Sequence, residues 1–450
     1  MHQFRKNWWM GTYPENEKSS ARNIVLLLLS LLFYVWGEVA NVFILIALGI
    51  INYYAGNAIF HRKNCRYTAI FFIILNLAVL IGFKYTYWIL SFISPDLMPK
   101  QPALPLGISF FTFHAISYLI DVWRGHIRPA ESALDFLTYF CMFPHLVAGP
   151  IVRYAQVQDD LASRGPDKEL FCYGMYRFLV GLNKKVLIAN SVAQIADAAF
   201  TLSAGGHLQF FDAWLGIIAY SVQIYFDFSG YSDMAIGLAA MAGFRFEENF
   251  RRPYSSTSIR DFWRRWHISL SSWLRDYLYI PLGGSRGGEW STYRNQIIVF
   301  FLCGLWHGAS VTFVIWGLWH GAFLVLERMK IGRWLEGLPS PLARSYALLA
   351  VMIGWVFFRA ESMSAAGDYL LVMFTPSLSP ALLTHYVMGL AALAAGVLFC
   401  LVPDRLVEIT SSRNPGAYSS GLYLFHALLS VVSVSILMTS LRNPFIYFNF

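Results

Sequence analysis

Charge is scarce in this sequence. Only 13% of its 450 residues are Asp, Glu, Lys or Arg, against about 25% in a typical water-soluble domain, so water is the wrong solvent for most of its surface. Linkers are missing too. No Gly/Ser-rich or low-complexity stretch divides the chain, which reads as one domain over 1–450 that opens with a polar segment at 1–20. That opening lacks a small-residue cleavage pattern and reads as a retained start. The five cysteines, at 65, 141, 172, 303 and 400, are odd in number and scattered through mostly apolar surroundings, which argues against a disulfide framework. His-x-x-x-His and Glu-x-x-His patterns are absent, and no metal is expected. Period-2 alternation is lacking as well, which excludes an outer-membrane barrel.

What the chain has in quantity is apolar length. Hydrophobic residues make up 57% and aromatics 17%. Runs near the roughly 20 residues that cross a bilayer as a helix recur from end to end. The clearest cover 39–56, 67–83, 133–151, 211–244, 295–326, 346–358, 381–402 and 419–441, with 23–36 and 172–188 as shorter or more polar candidates. They predict an all-α, polytopic membrane protein of roughly eight to twelve membrane helices. The net charge of +8 comes from short basic groups beside these runs, such as Lys184-Lys185 and Arg251-Arg252. Such placement fits membrane topology, not nucleic-acid binding.

Polar residues that interrupt apolar runs are costly in lipid and mark candidate sites. Asp227, Ser229 and Asp233 break one run; they either line a cavity or bond to the arginines of the neighbouring segment and hold the architecture. That segment, 260–279, is amphipathic when each residue advances by about 100 degrees. Phe262, Trp263, Trp266, Leu270, Trp273, Leu274 and Tyr277 fall on one arc, and Arg260, Arg264, Arg265, Arg275 and Asp276 on the other, with His267 at the border. One helix seated at the membrane interface is predicted, its tryptophans facing apolar surroundings.

Gly304-Leu305-Trp306-His307-Gly308-Ala309 and Gly317-Leu318-Trp319-His320-Gly321-Ala322 are near copies within one run. On a single helix their spacing would set the two rings about 20 Å apart along the axis and on largely opposite faces. They could then share a site only if the helix breaks. A desolvated histidine stays neutral, the state a general base needs, and flanking glycines admit close approach. Spacing alone does not choose between His307 and His320.

Further motifs accompany these. Phe143-Pro144-His145-Leu146-Val147-Ala148-Gly149-Pro150, Tyr225 to Asp233, Asn249-Phe250 with Pro253-Tyr254, Phe262 to His267, Trp273 to Tyr277 and Gly304 to Gly308 together resemble the membrane-bound O-acyltransferase family. The match runs from about Arg22 to the closing Pro444-Phe445-Ile446-Tyr447-Phe448, nearest to the branch of bacterial alginate O-acetyltransferases. It departs from relatives in its polar start, where they carry a further helix, and in its earlier end. The resemblance implies a ring of tilted transmembrane helices around a central tunnel. It puts the family histidine on His307 and a second family position on His267, which would orient or polarise a thioester carbonyl. Asp227, Ser229, Asp233, Trp306 and His320 become substrate or tunnel-lining candidates, with His320 expected outside the reaction centre. Arg260, Arg264 and Arg275 are candidates for donor phosphates.

The activity implied is transfer of an acetyl group from acetyl-CoA, with no bound cofactor, to a polysaccharide hydroxyl across the bacterial inner membrane. A periplasmic SGNH-hydrolase-like acetyltransferase is the implied partner. D-alanyl transfer to a cell-wall polymer, or transport of an acyl donor without chemistry, are the alternatives. His307 and His267 are expected to approach one another across a polar cavity.

Overall fold

The computed structural model describes residues 17–62, 65–93, 104–329, 331–377, 386–401 and 420–439. The polar start at 1–16 and the closing motif from Pro444 lie outside them. Among the described residues every regular element is helical, because backbone groups in lipid must be satisfied within their own segment. In chain order these are α1 (Glu17–Gly37), α2 (Val42–His61), α3 (Cys65–Lys84), α4 (Thr86–Ile93), α5 (Ile108–Arg124), α6 (Ala133–Cys141), α7 (Phe143–Leu146), α8 (Tyr154–Ser163) and α9 (Lys168–Asn183). A π-helical turn, Lys184–Ala189, joins α9 to α10 (Asn190–Ala204), and the long α11 (Phe210–Met241) follows. Then come α12 (Ile259–Arg265), α13 (Ile268–Leu274) with a π-helical turn Arg275–Tyr279, α14 (Glu289–His307), α15 (Val311–Arg328), α16 (Ile331–Glu336), α17 (Ser340–Arg359), α18 (Met363–Met373), α19 (Val387–Leu401) and α20 (Ser420–Thr439).

Six helical segments among the described residues are long and apolar enough to cross a membrane: Ser20–Gly37, Val42–His61, Cys65–Lys84, Lys168–Ala204, Ser340–Arg359 and Gly421–Thr439. Several of the apolar runs are broken within the described residues. Pro144 stands in the first turn of α7 and divides 133–151, since a proline ring cannot extend the preceding helix. The run 295–326 divides between α14 and α15.

Two apolar clusters form the core. One gathers α1–α3 and α6–α9, the other α10, α12–α15 and α17–α19, and two helices contribute to both: α5, and α11 with Phe226 and Phe228 in the second cluster but Ile236 and Ala239 in the first. Ion pairs fasten α11 to α9 and its π turn. Lys185 binds Asp227 at 2.6 Å and Lys184 binds Asp233 at 2.7 Å, while Arg177 binds both Asp233 and, at 2.5 Å, Glu248.

The predicted single helix over 260–279 is corrected. Its tryptophans are buried as expected, with Trp263 at 8%, Trp266 at 2% and Trp273 at 6% exposure. The helix, however, stops at Arg265 and restarts at Ile268, and between them His267 takes the left-handed region at φ 43°. The wheel put His267 at the border between faces. The break instead turns it fully inward.

Candidate active site

The two histidines are placed by two helix breaks. α14 ends at His307 because Gly308 is extended, and Ser310 starts α15 by accepting the Thr312 N–H at 3.3 Å. The outcome is a hairpin whose two near-copied motifs face each other. A Cβ on Gly304 would strike the carbonyl oxygen of Phe313, and one on Gly317 that of Phe300, so the glycines exist for close backbone approach. The one-helix expectation for His307 and His320 therefore falls. Both rings pack on Trp316, with centroids 4.9 and 5.3 Å from it.

The break at His267 is held by Asn249, whose role no local sequence pattern marks. The main-chain carbonyl of Asn249 accepts the Ile268 N–H at 2.9 Å. Its side-chain oxygen accepts the Ser269 N–H at 3.2 Å and hydroxyl at 2.9 Å, and faces His267 Nδ1 at 3.1 Å. A backbone N–H can only donate, so the Asn249 atom is the oxygen, and the histidine nitrogen facing it must carry a proton. In the neutral ring Nε2 is then a bare acceptor. That nitrogen is buried without a hydrogen-bond partner among the described residues. A neutral His267 in this tautomer presents an acceptor at Nε2 and its donor to Asn249.

Trp306 joins the two histidines. Its ring centroid lies 4.9 Å from His307 and 6.3 Å from His267, and His267 is within electrostatic range of His307. Phe113 stacks on Trp306 at 5.3 Å and on Trp273 at 3.8 Å, which fixes the wall behind them. A cavity of about 140 Å³ opens beside this group, bordered by Glu38, Lys84, Ser109, Phe110, Trp306 and His307. His267 does not border it. Two buried imidazoles on one indole, next to a small cavity, offer proton acceptors with almost no exposed surface of their own.

The family model for membrane-bound O-acyltransferases matches residues 109–361, which contain both histidines. The chain belongs to that family. It is 45% identical to a "Probable alginate O-acetylase" of Azotobacter vinelandii over 371 residues, covering 79% of this chain and 73% of the relative. It is 36% identical to a peptidoglycan O-acetyltransferase of Helicobacter pylori over 76% and 71% of the two chains. A teichoic acid D-alanyltransferase of Bacillus subtilis is 30% identical over 49% and 60%. The protein is thus a multi-pass membrane O-acyltransferase.

Within this O-acyltransferase the other candidates fall elsewhere. Asp227 and Asp233 do bond to cations, but to Lys185, Lys184 and Arg177, not to the arginines of 260–279. They and Ser229, whose hydroxyl has no hydrogen-bond partner among the described residues, do not border the cavity beside His307. His320 is fully buried against Phe262, Trp263 and Trp316, with neither ring nitrogen hydrogen-bonded among the described residues. Arg260 is exposed and borders a second cavity of about 610 Å³, at the other end of the hairpin, together with Arg328 and Arg333. Neither Arg264 nor Arg275 borders it. Arg275 is held by Asp276 at 2.7 Å. Partial burial pushes the Asp276 carboxyl up, but the hydrogen bonds from Arg275 and Arg153 outweigh it and hold the group below the usual carboxylate range. Among the described residues no cluster of His, Cys, Asp and Glu could hold a metal ion.

Proposed function

We propose that this O-acyltransferase moves an acetyl group from acetyl-CoA, bound from the cytoplasm, to a hydroxyl of an exported polysaccharide such as alginate, across the bacterial inner membrane. The acetyl group reaches the polymer directly or through a periplasmic SGNH-hydrolase-like partner. The observation that carries this reading is the meeting of two buried imidazoles on Trp306 beside a cavity of about 140 Å³. Volume in that range suits a two-carbon acyl group and a few atoms of its carrier, water itself taking about 30 Å³. The acetylase and O-acetyltransferase names of the relatives support acetyl on a polysaccharide over D-alanine.

In this reading His307 is the base. It takes the proton of the attacking hydroxyl as that oxygen bonds to the thioester carbon; the C–S bond breaks, and the thiolate leaves with the proton from the imidazolium. His267, packed beside Trp306, is the second family position and orients the thioester. Arg260 is the donor-phosphate candidate that borders the cavity of about 610 Å³.

Mass spectrometry of surface polysaccharide from cells with and without the gene tests the substrate: acetyl esters should disappear. Loss of D-alanyl esters with acetyl esters intact would transfer the reading to the alternative. His307→Ala in membranes supplied with acetyl-CoA and acceptor should abolish transfer while abundance stays normal. Near-normal turnover would leave transport of the donor as the better account.

A further inference from the structure

Lys84 is the last residue of α3 and only 8% exposed. No carboxylate pairs with it among the described residues. Glu38, across the cavity, is held instead by the Leu106 N–H at 3.0 Å and by Asn41 at 2.7 Å. A buried cation without a counter-charge is expensive in a membrane protein, and such residues mark function by default.

Its partners define what it does. The ammonium donates to the carbonyl oxygen of Trp306 at 2.5 Å, to that of His307 at 3.2 Å and to the Ser109 hydroxyl at 3.2 Å. The neighbouring Tyr85 hydroxyl donates to the carbonyl of Leu305 at 2.6 Å. The last four carbonyls of a helix lack partners within it. In α14 the Gly304 carbonyl accepts from Gly308, and the remaining three, Leu305, Trp306 and His307, are all taken by Lys84 and Tyr85. A cation there also faces the negative end of the helix dipole. An ammonium has three N–H donors. All three are used, so none is left for a developing oxyanion.

We propose that Lys84 is a positioning residue of the acyl transfer: its ammonium clamps the end of α14 and thereby sets where the His307 imidazole stands beside the cavity. The inference rests on the reading of His307 as the base. Lys84 itself touches no reacting atom. It acts through the two carbonyls that flank the Trp306 and His307 side chains.

Initial rates of acetyl-CoA consumption in membrane vesicles, at varied acetyl-CoA and equal amounts of folded protein counted by size exclusion in detergent, separate kcat from KM. Lys84→Met keeps the chain length and removes every donor. It should lower kcat about 10²-fold, the cost of misplacing a base by about 1 Å, with KM within about twofold. Lys84→Arg, which keeps cation and donors, should return most of that loss. A lysine that merely held the fold would change the amount of folded enzyme and leave its kcat alone. A Lys84→Met kcat within about threefold of wild type, a loss carried by KM, or a loss in Lys84→Arg as deep as in Lys84→Met overturns the proposal. Should Lys84→Met not reach the membrane, Tyr85→Phe carries the test at the same helix end. It should lower kcat about fivefold, the worth of one hydrogen bond, at unchanged KM; an unchanged kcat overturns the proposal. His307→Ala runs in parallel. If it is inactive while Lys84→Met is normal, the clamp alone is wrong; if it is active, the base assignment beneath the clamp is wrong.

Discussion

His267 sits where few side chains sit, at φ 43° in the left-handed region. That region costs a non-glycine residue roughly 1–2 kcal/mol, and asparagine tolerates it better than most because its side chain bonds locally. His267→Asn should therefore keep normal membrane abundance and a measurable fraction of activity. His267→Leu, which offers no acceptor and no relief from the backbone strain, should lose both. Equal activity in the two variants would mean that the Nε2 acceptor has no part in the reaction. Asn249 is testable in the same way. Asn249→Ala leaves the His267 ring free to turn, and the loss should fall on kcat by about 10- to 100-fold, as for other residues that orient a histidine. Restored rates in an Asn249→Gln variant would show that the side-chain oxygen need not stand at that point. The motifs that carry His307 and His267 are legible in the sequence, and the structure places both rings on Trp306. The tautomer is not legible there, because the proton on Nδ1 is dictated by an oxygen 18 residues away that also serves Ser269.

The hairpin of α14 and α15 is the element that gives the site its shape. Periodicity read 295–326 as one apolar run, since glycines at 308, 317 and 321 do not interrupt hydrophobicity even where the backbone turns. The repeated Gly-Leu-Trp-His-Gly-Ala motif reads as two near copies in sequence, and the geometry makes its first glycines a contact between two backbones. Gly317→Val would drive a side chain into the Phe300 carbonyl, and such overpacking costs about 1–3 kcal/mol. A lower unfolding temperature in detergent, with reduced transfer because His307 is displaced, is the expected result. His320 belongs to the same element with a different expectation. Its two nitrogens are buried against aromatic rings with no hydrogen bond among the described residues, a state that costs free energy. His320→Leu should then unfold no earlier than the wild type and retain substantial acetylation. Transfer as low as in His307→Ala, at equal membrane abundance, would place His320 in the reaction centre after all.

At the scale of the whole molecule, the all-helical membrane class was readable from composition and run length, because lipid leaves a chain so few options. How the runs pack was not. Asp227 and Asp233 announced themselves as costly, yet their partners, Lys185, Lys184 and Arg177, lie 42 to 56 residues away on α9 and its π turn, beyond any local pattern. α11 and α5 both contribute to the two apolar clusters, and the pairs that bind α11 to α9 add a polar tie between the two halves of the core. Arg177 is the centre of that tie, since its buried guanidinium serves Asp233 and Glu248 at once. Arg177→Met would leave Asp233 with Lys184 alone and Glu248 with neither of its hydrogen bonds from Arg177. Breaking a buried pair from one side costs about 3–5 kcal/mol, far more than the pair contributes relative to apolar replacements. The variant should unfold at a markedly lower temperature in detergent. A double variant that also carries Glu248→Gln, which removes the stranded charge, should recover part of the loss. Unfolding of Arg177→Met at the wild-type temperature would mean that the two clusters are held together by apolar packing alone.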